Sequence, residues 1–344
     1  MDAEAAGGRA EDAWAAIETA FAQGWTDGLP VVPPTPERLR PFLDAAGLAP
    51  DAVVAEEPVR RRRLTVAKIA VNALMAGCRP EYMPVVLAVV RAMADPAFNL
   101  HGSSASTGGS AVLVVVNGPV RRQLGFNATH NAMANGFRAN ATVGRAVRLI
   151  IANLLGGVPG VWDRSTLGHP GKFTFCLAED EEDSSWLPLA TERGVPPGRS
   201  AVTVVAVESP HQIMNEWTTD PAEILDTFVA AIRANMLTYS VWPGPYVLVV
   251  PKQLRDVLQA AGWQKADIRR YVYEHAVVRR EEWRAVGKGR LVSDANRDRI
   301  YRALKAPEDL LVVAAGGPAG GFGAVIPPWF GDKSQAVTRI VEGV

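Results

Sequence analysis

The segment His101–Asn117, HGSSASTGGSAVLVVVN, decides how this 344-residue chain is read. Its last seven residues, AVLVVVN, form a continuous apolar run of the kind found in a strand buried on both faces. The ten residues before them are rich in serine and glycine, with hydroxyls at Ser103, Ser104, Ser106, Thr107 and Ser110, the composition of a loop. A strand covered on both faces needs layers on each side. The fold class is therefore α/β or α+β, a mixed sheet with flanking helices, in one body or two lobes.

Working outward, residues 11–23 read as a helix, and the proline-rich stretch GWTDGLPVVPPTPERLRPFL as an extended loop until Pro36 opens a helix behind Thr35. Thr65–Ala76 and Glu81–Met93 have helical length and apolar spacing; with Gly77 and Pro80 between them they predict a helical hairpin tipped by Cys78. Beyond the strand, the polar loop GFNATHNAMANGFRAN feeds a long helix from about Ala139 to Leu155. Strands are expected at Lys172–Leu177, Ala201–Val207, Tyr246–Val250 and Leu310–Ala314. Helices are expected at Pro221–Met236, Lys252–Ala261, Lys265–His275 and Asp294–Leu304. The tail GGPAGGFGAVIPPW reads as a hairpin turn from Leu310–Ala314 into Ala324–Ile326. TERGVPPGRS interrupts the pattern and divides a loop-rich part, 1–195, from an α/β part, 196–344. No internal repeat is visible.

Thirty-six basic residues balance thirty-six acidic ones, so the overall field favours neither nucleic acid nor an anionic membrane as partner. The N-terminus lacks the pattern of a secretory signal, and the longest apolar stretch breaks at Gly156, Gly157 and Pro159, short of a membrane span. The two cysteines fit neither a disulfide framework nor a zinc motif. These features point to a cytoplasmic protein with a small-molecule partner, and a homo-oligomer is compatible with them.

Cys78 is the leading candidate for chemistry. Beside Arg79, and just ahead of a helix opened by Pro80, its thiol is expected to ionise easily and to act as a nucleophile; packing as a small buried residue is the alternative. Glu81 or His101 would move a proton. Arg138, with the loop amides around His130, Asn135 and Asn140, suits a carboxylate or phosphate, while Arg79, Ser103 and Ser104 would help to bind it. Cys176 lies between apolar neighbours and reads as core. Most of the acidic run AEDEEDSSW, Glu179–Asp183, reads as solvated surface. No P-loop, dinucleotide fingerprint, nucleophile elbow or zinc-protease motif occurs, and no cofactor is evident.

The segments TDGLPVVPPTPER, MAGCRPEYMPVV, RANATVGRAVRLI, PGKFTFCLAEDEEDSSW and AGGPAGGFGAVIP together resemble a family of bacterial proteins of about this length, associated with the UGSC group of thiol or selenol proteins. The likeness spans nearly the whole chain, although His169 stands where that family commonly has glutamine. It implies relatives without implying a reaction. The expectation from sequence is an enzyme acting on a small anionic metabolite, by cofactor-free lyase or hydrolase chemistry with Cys78 as nucleophile. The alternatives are a thiol redox protein using Cys78 and a non-catalytic metabolite-binding or partner protein.

Overall fold

The computed structural model describes residues 10–182 and 184–343. In chain order the elements are α1 (Ala10–Ala22), α2 (Pro36–Ala46), β1 (Val53–Glu57), β2 (Arg62–Thr65), α3 (Val66–Met75), α4 (Met83–Met93), α5 (Leu100–Ala105), β3 (Ala111–Asn117), α6 (Val120–Leu124), α7 (Arg138–Leu155), β4 (Cys176–Ala178) and α8 (Leu189–Glu192). They continue as β5 (Ala201–Val207), β6 (His211–Met214), α9 (Pro221–Thr238), β7 (Val247–Val250), α10 (Lys252–Ala260), α11 (Lys265–His275), β8 (Val277–Arg279), β9 (Ile300–Arg302), β10 (Leu311–Ala314), β11 (Phe322–Ile326) and β12 (Val337–Ile340).

Two four-stranded mixed sheets, ordered β12-β5-β3-β4 and β10-β7-β11-β6, form the centre. Strand alternation shows how they are layered. Leu113 and Val115 of β3 share an apolar cluster with Val247 and Val249 of β7 and Leu311 and Val313 of β10, so these faces pack sheet on sheet. Val114 and Val116 of β3 face the other way, into a cluster with α3, α4 and α7. Leu248 and Val250 of β7 join the cluster of α9, α10 and α11. The result is a helix, sheet, sheet, helix sandwich. It explains why AVLVVVN is apolar throughout: each face of β3 meets a different core.

Both sheets use one pairing scheme. A central strand, β3 or β7, has a parallel partner, β4 or β10, on one side and an antiparallel partner, β5 or β11, on the other. The outer strand in each case comes from the opposite half: β6 follows β5 but pairs with β11, and β12 follows β11 but pairs with β5. A topological repeat is thus present that residue similarity does not reveal. The expected division between 1–195 and 196–344 does not separate two cores, because β5 and β12 complete the sheet begun by β3 and β4.

The hairpin of α3 and α4 forms as expected, through a 3-10 turn at Pro80–Tyr82. Gly144, midway along α7, permits close approach to β4, since a Cβ there would lie 2.3 Å from Thr174 Oγ1. Three expectations fail. Asp294–Leu304 is not a helix: Ser293 N–H donates to Asn296 Oδ1 at 2.9 Å in a local turn, and Ile300–Arg302 pairs with β8. The glycine-rich tail is not a hairpin, because β7 lies between β10 and β11. Lys172 does not begin a strand, for Pro170–Lys172 is a 3-10 turn and β4 starts at Cys176.

Among the described residues, no single helix is long and apolar enough to cross a membrane.

Candidate functional site

The register of the first sheet brings distant loops to one edge. Ala111, the start of β3, faces Val207, the end of β5, and β4 runs parallel to β3. The loops before β3, before β4 and after β5 therefore emerge together. They carry Ser106–Ser110, Asp163–Lys172 and Glu208. The corresponding edge of the second sheet abuts them: Tyr239, ahead of β7, donates its hydroxyl to Glu208 Oε1 at 2.8 Å, and Trp329, after β11, donates its indole N–H to Ser106 Oγ at 2.8 Å. Gly108 and Gly109 pass through the tightest point. A Cβ on Gly109, at φ 81°, would lie 3.0 Å from Gly168 Cα, and one on Gly108 would lie 2.9 Å from the Tyr239 hydroxyl.

A cleft of about 730 Å³ opens at this edge, with Arg148, Asp163, Ser165, His169 and Lys172 among its walls and Thr26 and Asp27 of the TDGLP head at its rim. The Lys172 ammonium donates to Asp163 Oδ2 at 2.7 Å and to Ser165 Oγ at 2.6 Å, while Ser165 donates to Asp163 Oδ1 at 2.5 Å. Arg148 adds a bond to Asp163 Oδ2 at 2.8 Å. Two cations thus meet one carboxylate, while Asp27 at the rim is held by Arg145 at 2.8 Å.

The electrostatics follow from this geometry. Burial opposes ionisation of Asp163, but hydrogen bonds from Lys172 and Ser165, together with the charges of Lys172 and Arg148, outweigh it and bring its pKa to about 2. Burial lowers the pKa of Lys172; Asp163 counteracts that, and Arg148 reinforces it. Burial also lowers the pKa of His169; the nearby Val207 backbone acts to raise it, and the Lys172 charge lowers it further. Its Nδ1 accepts from Gly171 N–H at 3.2 Å, and its Nε2 has no partner among the described residues.

Cys78 lies elsewhere and is not an activated thiol. It is 3% exposed, it donates to the Thr142 carbonyl at 3.3 Å, and burial pushes its pKa up to about 12, although Arg138 and Arg145 act to lower it. Burial likewise raises Cys176, with Cys78 close enough to add to the effect. Arg79 and Glu81 are exposed beside it, whereas the cysteine itself is buried. The helix start and the flanking arginine are where the sequence places them, but desolvation is the larger effect.

The expected anion cradle also changes role. Arg138 donates to the carbonyls of Gly77 at 3.0 Å and Cys78 at 3.4 Å, tying α7 to the hairpin tip. Asn140 is buried; its side chain accepts from Asn127 N–H and donates to the carbonyls of Asn127 and Cys176. His130 and Asn135 are exposed, with the His130 ring against Gly317 of the tail.

His101 is not on that face. Arg60 binds the carbonyls of both Leu155 and His101, which places His101 at the C-terminal end of α7, whereas Arg138 begins that 18-residue helix, about 25 Å away. The His101 ring packs edge-on against Trp162, and its Nδ1 has no partner among the described residues. Ser103 and Ser104 come nearest to the cleft, lining a small void of about 20 Å³ behind Arg148 and Lys172.

The acidic run proves structural. Glu179 is buried against Lys265 at 2.6 Å and Asp180 against Arg255 at 2.9 Å, while Arg121 binds Glu181 and Glu182 at 3.0 Å each. Asp183 lies outside the described residues. Asp163, Ser165, Lys172, Glu208 and Tyr239 escaped the sequence reading. The polar stretch DRSTLGHPGK, Asp163–Lys172, was the available signal, with an acid, a hydroxyl, an imidazole and an amine in ten residues.

Among the described residues, no group of three or more histidine, cysteine, aspartate or glutamate side chains is arranged to hold a metal ion. No protein-family model matches the chain, and no curated protein matches it.

Proposed function

We propose that the chain is a cytoplasmic enzyme acting on a small anionic metabolite by cofactor-free hydrolase or lyase chemistry, with its site in the Asp163–Lys172 cleft rather than at Cys78. The carrying observation is the 2.6 Å contact of Lys172 with Ser165 Oγ inside a cleft whose walls also hold Arg148. Arg148 and Lys172 attract the anion. For Ser165 to attack a carbonyl, its proton must leave Oγ. Asp163, at about 2, is too weak a base to take it, so the acceptor in this reading is Lys172 in its neutral form, which burial favours and the Asp163 pair opposes. In this reaction Lys172 first gives up a proton to solvent; the Ser165 Oγ to carbon bond then forms as the Ser165 proton passes to Lys172 Nζ, and the leaving group departs with that proton. Water then attacks the acyl ester, giving its proton to Lys172, which returns it to Ser165 Oγ as the acid leaves.

The bonds from Lys172 to both oxygens of Asp163 favour a second reading, in which the lysine stays charged and the cleft only binds. A thermal-shift screen of small dicarboxylates and phosphate monoesters, paired with hydrolysis assays on their esters, tests both readings. The enzyme reading expects a stabilising anion, an ester that turns over, and loss of turnover in Ser165→Ala with anion binding retained. Binding without turnover selects the second reading. An absence of anion binding, or binding untouched by Lys172→Met, removes the site.

A further inference from the structure

We infer that a second cleft, lined in part by Tyr239, binds a planar aromatic anion. This cleft of about 670 Å³ lies in the second half of the sandwich, with Trp242, Trp283, Tyr301 and Phe330 supplying rings and Arg280 and Arg299 supplying charge. Its volume suits a small organic molecule. Trp283 and Tyr301 stack at 5.8 Å and 18°, and the Arg280 guanidinium lies 3.6 Å from the centre of the Trp283 ring. On the facing wall Trp242 and Phe330 approach to 5.5 Å, yet Trp242 remains 52% exposed. The exposed Trp242 ring, beside the part-exposed Tyr301 and Phe330, invites a flat partner.

Charge decides the kind of partner. An aromatic cage alone suits a cation. Here Arg280 bonds only to the Leu291 carbonyl and the Tyr301 hydroxyl, Arg299 is exposed over the Tyr301 ring, and Lys288 caps the carbonyls of Leu237 and Thr238. None of the three is in an ion pair, and no carboxylate lines the cleft, among the described residues. A cationic ligand would be repelled. One further feature points to a binding role. Phe330 is held at φ 43°, a left-handed conformation rare for an aromatic residue and frequent at ligand clamps.

Isothermal titration of the full chain tests this, using naphthoate and adenosine monophosphate as ring-bearing carboxylate and phosphate. Naphthylmethanol serves as a ring without charge and ribose phosphate as a charge without a ring. The expected result is a dissociation constant below about 1 mM for at least one ring-bearing anion, with both controls weaker by about tenfold or more. Arg299→Gln and Trp242→Ala, both at exposed side chains, should each weaken that binding by about tenfold while melting like the parent. Lys172→Met should leave it unchanged, which separates this cleft from the proposed catalytic one. The stronger of the two anions identifies the natural anionic group. Failure of both ring-bearing anions, binding that survives both cleft substitutions, or loss of binding in Lys172→Met would overturn the inference.

Discussion

The Tyr239 hydroxyl and the Glu208 carboxylate meet at 2.8 Å across the seam between the two sheets. Burial raises Glu208 above its ordinary 4.5, although the Tyr239 bond and the Lys172 charge pull it down. Burial, followed by the charge of Glu208, raises Tyr239 in turn. A raised carboxyl pKa means that the native protein holds this proton more tightly than the unfolded chain does. The stability it contributes is complete below the unfolded value and is lost as pH rises through the folded one. Glu208→Gln keeps an acceptor for Tyr239 and removes the titration. The variant should therefore lose less stability than the parent as pH rises from 4.5, the ordinary value, through the raised one, as followed by urea unfolding. Parallel curves would show that Glu208 titrates normally.

Cys78 should behave as core. In the native protein iodoacetamide should modify it far more slowly than a free thiol at neutral pH, with full reaction only in denaturant. Cys78→Ala should cost about 1 kcal/mol of stability and leave anion binding in the Asp163–Lys172 cleft intact. Rapid native labelling, read by mass spectrometry, would restore the thiolate reading.

Arg138 binds main-chain carbonyls at the hairpin tip, so its removal should register in stability rather than in affinity. Arg138→Ala is expected to lower unfolding stability by about 1 kcal/mol, since the bonds are charge-assisted but their donor is exposed. Titration of the same anions should give unchanged dissociation constants. A weakened constant without a change in melting would return Arg138 to a binding role.

Lys265 and Glu179 form a pair 2% exposed on both sides, with Asn117 and the Leu189 amide also bonded to the glutamate. Lys265→Met strands a buried carboxylate and should cost about 3–5 kcal/mol. Adding Glu179→Leu to it should recover part of that loss. A single variant within about 1 kcal/mol of the parent in denaturant unfolding would mean that water reaches the pair.

The elements legible in the sequence are those whose residues answer to their own neighbours. AVLVVVN reads as a doubly covered strand because its apolar run has no polar interruption, and the hairpin around Cys78 follows from Gly77 and Pro80. Helices α7, α9, α10 and α11 declare themselves by periodicity. By contrast, the burial of Cys78 depends on α7 crossing over it, and no local feature sets that distance. Lys265 and Glu179 are 86 residues apart, Trp329 and Ser106 223 apart. Their pairing follows from strand order and from the exchange of β6 and β12 between sheets, which is a property of the assembled sandwich. The proposed site is of the same kind. Its residues lie in loops whose sequence carries no period, and they converge because β3 and β4 start, and β5 ends, at one edge. Local physics shaped the strands and helices; only their packing determined which charges lost their water and therefore which groups can react.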